Sequence, residues 1–204
     1  MSDFARAAEN KVALRNRMLT ARKSLPEAVR RSASASVQAS TLALVRRARP
    51  TVCAAYVPIG SEPGGSALPA LLAAALPPGG RLILPILLPS NDLDWAVYSD
   101  DLVTGRHGLR QPAGVPLGVD VVARASLIFV PALAVSRSGM RLGRGGGSYD
   151  RALARAEAAF TVALLHDGEL IDDVPAEAHD RPVDAVVTPA EGLRTLNGGS
   201  EWTK

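Results

Sequence analysis

Cysteine is almost missing from this chain of 204 residues: Cys53 stands alone. An intrachain disulfide and a cysteine-based zinc site are therefore both excluded. Aromatic residues make up only 4%, and Phe4 is the only one in the first 50 positions. The three histidines, His107, His166 and His179, are scattered. They show no metal-ligand spacing and no Ser-His-Asp signature. Long apolar runs are missing too: 68–76 and 82–88 are too short to span a bilayer, and Pro69 and Pro85 interrupt them. The chain opens Met-Ser-Asp without the apolar stretch of a secretory signal, so a cytoplasmic protein that needs no membrane is expected. Apolar residues at 47% and charged residues at 21% are ordinary for a globular protein. The length suits one domain over residues 1–196, expected to be monomeric, with a disordered tail over 197–204.

The net charge of +3 conceals an asymmetry. Residues 1–50 carry 11 Lys/Arg against 3 Asp/Glu, or +8, and residues 51–204 carry 12 against 17, or −5. A basic N-terminal quarter attracts polyanions. Nucleic acid is a poor match, because no aromatic residues interleave the arginines to stack bases. Solvated helix faces account for most of these arginines, and a compact nucleotide phosphate remains a candidate partner for the rest.

Val12, Leu14, Met18, Leu19 and Ala21 suggest a first helix. Ser24, Pro26 and Glu27 signal a fresh start, and apolar spacing from Val29 to Ala48 carries a second helix up to Pro50. Buried strands are expected over 51–57, 81–87, 126–131, 161–165 and 183–187, with a half-exposed strand over 94–98. Helices are expected over 67–76 and, by spacing, 149–160. Strands alternating with helices define an α/β layered fold, a mainly parallel sheet flanked by helices on both faces.

The most informative segment is Gly139-Met140-Arg141-Leu142-Gly143-Arg144-Gly145-Gly146-Gly147-Ser148-Tyr149-Asp150-Arg151. Its glycines let backbone N–H groups converge on one anion, and Arg141 and Arg144 add charged forks suited to phosphate oxygens. A helix starting near Ser148 directs its positive dipole end to the same place. No Gly-Lys-Ser/Thr closes the loop, and Ser148 breaks a Gly-x-Gly-x-x-Gly frame, so neither common nucleotide fingerprint is present. Asp150 would repel bound phosphates unless a cation such as Mg²⁺ lay between, and Asp184 is a candidate second ligand. In Tyr56-Val57-Pro58-Ile59-Gly60-Ser61-Glu62, a strand ends in a turn that presents Glu62 where α/β sheets bind ligands. Lys11 and Arg15 share one helix face.

Taken in order, the chain resembles the 5-formyltetrahydrofolate cyclo-ligase (5,10-methenyltetrahydrofolate synthetase) family from about Lys11 to Leu196. The markers are Lys11-x-x-x-Arg15, Tyr56-x-Pro58-x-x-x-Glu62, Gln111-Pro112, Val130-Pro131-x-Leu133-Ala134, the glycine string, Glu177-x-His179-Asp180 and Val183-Asp184. The resemblance implies ATP- and Mg²⁺-dependent closure of 5-formyltetrahydrofolate to 5,10-methenyltetrahydrofolate, with ADP and phosphate released. It implies ATP contacts from Lys11, Arg15 and Arg141 through Tyr149, and folate contacts from Val57, Glu62, His107 and Arg144 through Ser148. Arg144, with Arg141 and Tyr149, would act on the transferred phosphoryl group, and Asp150 and Asp184 would hold Mg²⁺.

Three departures from the family pattern stand out. Ser148 replaces a tyrosine, His107 replaces an aromatic ring that helps to stack the folate, and Val135-Ser136 replaces Phe-Asp. The last is expected to remove a supporting hydrogen bond. The alternative reading is a phosphate- or sugar-phosphate-binding α/β module without this activity. It would not need Lys11, Glu62, Asp150 and Asp184 together.

Overall fold

The structure, a computed structural model, describes residues 3–177 and 180–196, with side chains from Lys11 onward. The expected disordered tail over 197–204 and His179 lie outside the described residues.

Two long helices open the chain, α1 (Asp3–Ser24) and α2 (Glu27–Ala48). Pro26 precedes α2, and Arg49 ends it in a left-handed conformation, its N–H donating to the Val45 carbonyl before Pro50 turns the chain away. β1 (Val52–Ala54), α3 (Leu68–Ala75), β2 (Arg81–Leu87) and β3 (Leu93–Val97) follow. A small hairpin, β4 (Leu102–Thr104) and β5 (Arg110–Pro112), precedes β6 (Leu127–Pro131), β7 (Ala134–Ser136) and β8 (Arg141–Leu142). The chain finishes with α4 (Ser148–Arg155), β9 (Phe160–Leu164), β10 (Leu170–Ile171), β11 (Ala185–Thr188) and β12 (Gly192–Thr195).

Seven strands form the central sheet in the order β12-β11-β9-β6-β1-β2-β3. Its inner pairs are parallel, and only the edge strands β3 and β12 run antiparallel to their neighbours. The apolar strands alternate sides as a sheet buried on both faces requires. Cys53, Leu82, Phe129 and Leu164 point toward α2 and α3, which contribute Val37, Leu44, Leu68 and Leu72. Ala54, Ile83, Val130 and Ala163 point the other way, toward Ala152 and Leu153 of α4. The expected two-faced α/β architecture is present. Among the described residues no helix is long and apolar enough to cross a membrane.

Two expected boundaries move. The helix expected over 149–160 stops at Arg155, because the Phe160 N–H donates to the Ser126 carbonyl and starts β9 beside β6. Ladder pairing there outweighs the helix propensity of the Ala-Glu-Ala-Ala stretch before it. The strand expected over 51–57 keeps a ladder only at Val52–Ala54, and its remainder bends into the loop that carries Glu62. A three-stranded sheet, β10-β7-β8, and the β4–β5 hairpin were not legible, since two- and three-residue strands show no period.

α1 does not lie against the central sheet. Leu14 and Met18 cover Leu133, Ala134 and Leu142 at the small sheet. Arg22, 2% exposed, donates from Nε and Nη2 to the two carboxylate oxygens of Glu169, both at 2.7 Å, and from Nη2 to the Ala132 carbonyl at 2.5 Å. Glu169 also accepts from the His166 N–H at 2.8 Å. A second clamp joins the turn after β2 to α4. Asp92 takes both arms of Arg155 at 2.9 and 2.6 Å, and this bonding holds its carboxyl below the ordinary value of 3.8.

Arg22→Ala leaves Glu169 buried and unpaired, so it should cost about 3–5 kcal/mol. A denaturant midpoint unchanged from wild type would contradict the clamp. Because its pKa is depressed on folding, Asp92 contributes stability above its unfolded pKa, and that stability is lost as pH falls through the folded one. Asp92→Asn should therefore lower stability by about 1–2 kcal/mol at neutral pH, and the gap from wild type should narrow in urea titrations below pH 3.8.

Candidate active site

Ligands of open parallel sheets bind beyond the carboxyl ends of the strands. Here the ends of β1, β2 and β6 meet α1 and the glycine loop around a crevice of about 810 Å³. Lys11 and Arg15 reach it from α1, Val57 and Glu62 from the loop after β1, His107 from the tip of the β4–β5 hairpin, and residues 141–150 from β8 through the first turn of α4. Helical and strand propensities account for none of these meetings individually; the sheet order produces them.

Each crevice cation already has an oxygen partner. The Lys11 ammonium donates to Glu177 at 2.9 Å and Asp180 at 2.7 Å. Burial opposes its charge, but the two carboxylates outweigh burial and raise its pKa. Arg15 donates from Nε to the Gly143 carbonyl at 3.0 Å. Arg141, buried in the crevice wall, donates to Asp150 at 2.5 Å and lies 5.9 Å from the centre of the Tyr149 ring. Arg144 reaches across the opening to Glu62 at 3.0 Å, while the other Glu62 oxygen accepts from the Ile59 N–H at 3.0 Å. The loop is thus stitched to α1 at one side and to the end of β1 at the other.

Beneath these pairs lie polar atoms cut off from water and without a hydrogen-bond partner: the hydroxyls of Tyr56 and Tyr149, Oε1 of Gln111 and Nε of Arg141. All four residues line the crevice. Leaving a buried polar atom unpaired costs about 1–3 kcal/mol, a cost that concentrates where a polar ligand can relieve it. Burial, with Glu62 nearby, pushes both phenols above their ordinary value of 10, so they remain protonated donors.

Asp184 is placed elsewhere. It lies outside the crevice lining, at the amino ends of β9 and β11, where one carboxylate oxygen accepts from the N–H and hydroxyl of Thr161, both at 2.7 Å. The expected pairing with Asp150 does not form, because Asp184 joins strand starts while the crevice lies at strand ends. At Val135-Ser136, the Ser136 hydroxyl accepts from the Met140 N–H at 3.0 Å and pairs with Ser138 at 2.7 Å. His107 sits in a left-handed conformation, φ 54°, which aims the hairpin tip at the crevice.

Sequence reasoning missed Arg22, Tyr56 as a polar group, Gln111 and the carboxylate partners of Lys11. Arg22 falls seven residues beyond Arg15 on the same helix face, a spacing that could have flagged it.

The sheet, the glycine loop with its cations and the facing carboxylate define an α/β protein with one polar crevice at the carboxyl ends of its central strands. Residues 7–189 match the model of the 5-formyltetrahydrofolate cyclo-ligase family, and the chain belongs to that family. It is 43% identical over 196 residues to 5-formyltetrahydrofolate cyclo-ligase of Mycolicibacterium smegmatis, covering 92% of this chain and 97% of the relative. Among solved structures, the Aquifex aeolicus 5,10-methenyltetrahydrofolate synthetase superposes with a TM-score of 0.77 at 27% identity, covering 95% and 96% of the two chains. The Mycoplasma pneumoniae synthetase shares the fold, with a TM-score of 0.68 at 17% identity over 87% and 97%.

Gly145 has φ +98°, and a Cβ there would stand 3.4 Å from the Arg15 guanidinium carbon. Because L side chains rarely adopt that φ, Gly145→Ala should strain the loop, weakening equilibrium binding of ATP about tenfold, or roughly 1.4 kcal/mol. Undiminished affinity would show that this backbone conformation does not shape the anion site.

Proposed function

We propose that the chain catalyses the ATP-dependent closure of 5-formyltetrahydrofolate to 5,10-methenyltetrahydrofolate, releasing ADP and phosphate. The observation that carries this reading is the Arg144–Glu62 contact, which spans the crevice at 3.0 Å. A residue of the anion loop meets the carboxylate of the second subsite, so substrates bound on either side would have their reacting groups within reach.

The triphosphate lies along residues 141–149, with Lys11 and Arg15 on its flank. The folate lies against Val57, Glu62 and His107 and meets the loop at residues 144–148, with Glu62 hydrogen-bonded to its polar edge. The formyl oxygen attacks the γ-phosphorus as the bond to the β-phosphate oxygen breaks, and ADP leaves. Nitrogen 10 then adds to the formyl carbon and loses its proton, and the carbon–oxygen bond breaks to release phosphate. An amide-like oxygen leaves poorly, and its phosphate ester leaves well. The protein's part is to position the reactants and neutralise charge. Arg144 releases Glu62 and moves onto the transferred group, Arg141 supports it, and Tyr149 donates its proton to a phosphate oxygen as a hydrogen bond.

The donor set fits Mg²⁺ through Asp150 alone. Among the described residues no group of three or more His, Cys, Asp or Glu side chains could hold a metal. Mg²⁺ on a nucleotide needs only one or two carboxylates beside phosphate oxygens and water. Asp150 would supply one, and the ion would supply further charge neutralisation. The enzyme works as a monomer in the cytoplasm.

Absorbance of the conjugated methenyl product, with ATP omitted as control, tests the reaction. ATP-dependent product is expected, and ATP binding without product would overturn the proposed substrate. Asp150→Asn should lower kcat/KM about a hundredfold and raise the Mg²⁺ concentration needed for half-maximal rate. An unchanged Mg²⁺ dependence would remove Asp150 from the metal.

A further inference from the structure

The segment that presents Glu62 has little stiffness of its own. Gly60, Gly64 and Gly65 all take left-handed backbone conformations, at φ 57°, 94° and 66°, and glycine resists bending least. Residues 59–62 close a turn: the Glu62 N–H donates to the Ile59 carbonyl and the Ile59 N–H donates to Oε2 of Glu62, both at 3.0 Å. These bonds fix the carboxylate to its own turn. They leave the turn itself to be held from outside.

Two side chains hold it. Gln38 of α2 donates from Nε2 to the Gly64 carbonyl at 2.7 Å. His166, just beyond the end of β9, places Nε2 2.9 Å from the carbonyl of Ser61, the residue next to Glu62. A carbonyl oxygen only accepts, so the hydrogen is on Nε2. Nδ1 is buried and has no acceptor to receive a hydrogen, which agrees with that tautomer. The ring is 4% exposed and does not line the crevice, so it reaches the site only through the loop.

The ring is itself anchored. The His166 N–H donates to Oε2 of Glu169 at 2.8 Å, and that same oxygen accepts from Nη2 of Arg22. One buried carboxylate therefore fixes both α1, which carries Lys11 and Arg15, and the imidazole that holds the Glu62 turn.

We propose that His166 is a positioning residue for Glu62: through the Ser61 carbonyl it sets where the carboxylate stands in the crevice, and with it the affinity for folate. This rests on the function proposed above, in which Glu62 bonds the polar edge of the folate. The tie from Gln38 keeps the loop in place when the His166 bond is lost, so the loss is read as misplacement of Glu62.

The test uses His166→Leu, which removes the donor, and His166→Gln, whose Nε2 can stand where the imidazole Nε2 does. His166→Leu should weaken 5-formyltetrahydrofolate about tenfold by calorimetry and raise its KM to match, with the KM for Mg-ATP unchanged. His166→Gln should recover most of that affinity. His166→Asn, polar but one bond shorter, should behave as His166→Leu does, and it carries the comparison if the leucine variant does not fold. In a Glu62→Ala background the same substitutions should cost little more, as a residue acting through Glu62 requires. Long-range ¹H–¹⁵N NMR of the wild type should find the His166 hydrogen on Nε2; a hydrogen on Nδ1 alone overturns the bond and the proposal. Equal losses for folate and Mg-ATP, a glutamine variant no better than asparagine, or full additivity with Glu62→Ala overturns it too, since each is what general damage to the core produces. Wild-type turnover with unaltered folate affinity in every variant removes the role of His166 and leaves the function standing. A wild type that binds no 5-formyltetrahydrofolate removes the function, and this role with it.

Discussion

The guanidinium of Arg22 and the carboxylate of Glu169 are shut away from water together, and the position of α1 depends on that pairing. Each group alone would be strongly disfavoured in the interior. Paired in two parallel bonds, and with the Ala132 carbonyl and His166 N–H taking remaining capacity, they are tolerated and directional. An apolar contact could have covered the small sheet with α1 in several rotations. A forked ion pair admits one, and that rotation turns Lys11 and Arg15 toward the crevice. Leu14 and Met18 supply the burial that holds the helix down.

With α1 set, most of the crevice cations face carboxylates. Lys11 answers Glu177 and Asp180, Arg141 answers Asp150, and Arg144 answers Glu62. An incoming polyanion must therefore compete for cations that already have partners. Tyr56, Gln111, Arg141 and Tyr149 each keep a buried polar atom without a hydrogen-bond partner. Such a site is preorganised at its edges and unsatisfied at its floor. Binding energy can then come both from exchanged ion pairs and from hydrogen bonds not made in the free protein.

Much of the layered fold was legible because its signals are local. Apolar runs such as 127–130 mark buried strands, Pro26 and Pro50 bracket α2, and Pro77-Pro78-Gly79-Gly80 stops the helix before β2. The glycine loop was legible as part of the crevice because glycine density between two arginines is rare in a plain surface turn. Asp184 shows the limit of this reasoning. The sequence offered it as a second ligand beside Asp150, but strand direction puts the start of β11 at the opposite end of the ladder, where Thr161 donates to the carboxylate. Ser136 shows another: its hydroxyl accepts a turn hydrogen bond from the Met140 N–H that only geometry reveals.

The sequence by itself determined the alternation of strands and helices, the two-sided burial of the sheet and the glycine and arginine content of the loop at 139–151. Each of these depends on residues close together in the chain, within reach of a period or a turn. Tertiary structure decided which charges meet: Arg22 with Glu169 across 147 positions, Lys11 with Asp180 across 169, and Arg144 with Glu62 across 82. Those partnerships follow from strand order and helix rotation, which depend on how the whole core packs and leave no periodic trace in the residues that they join.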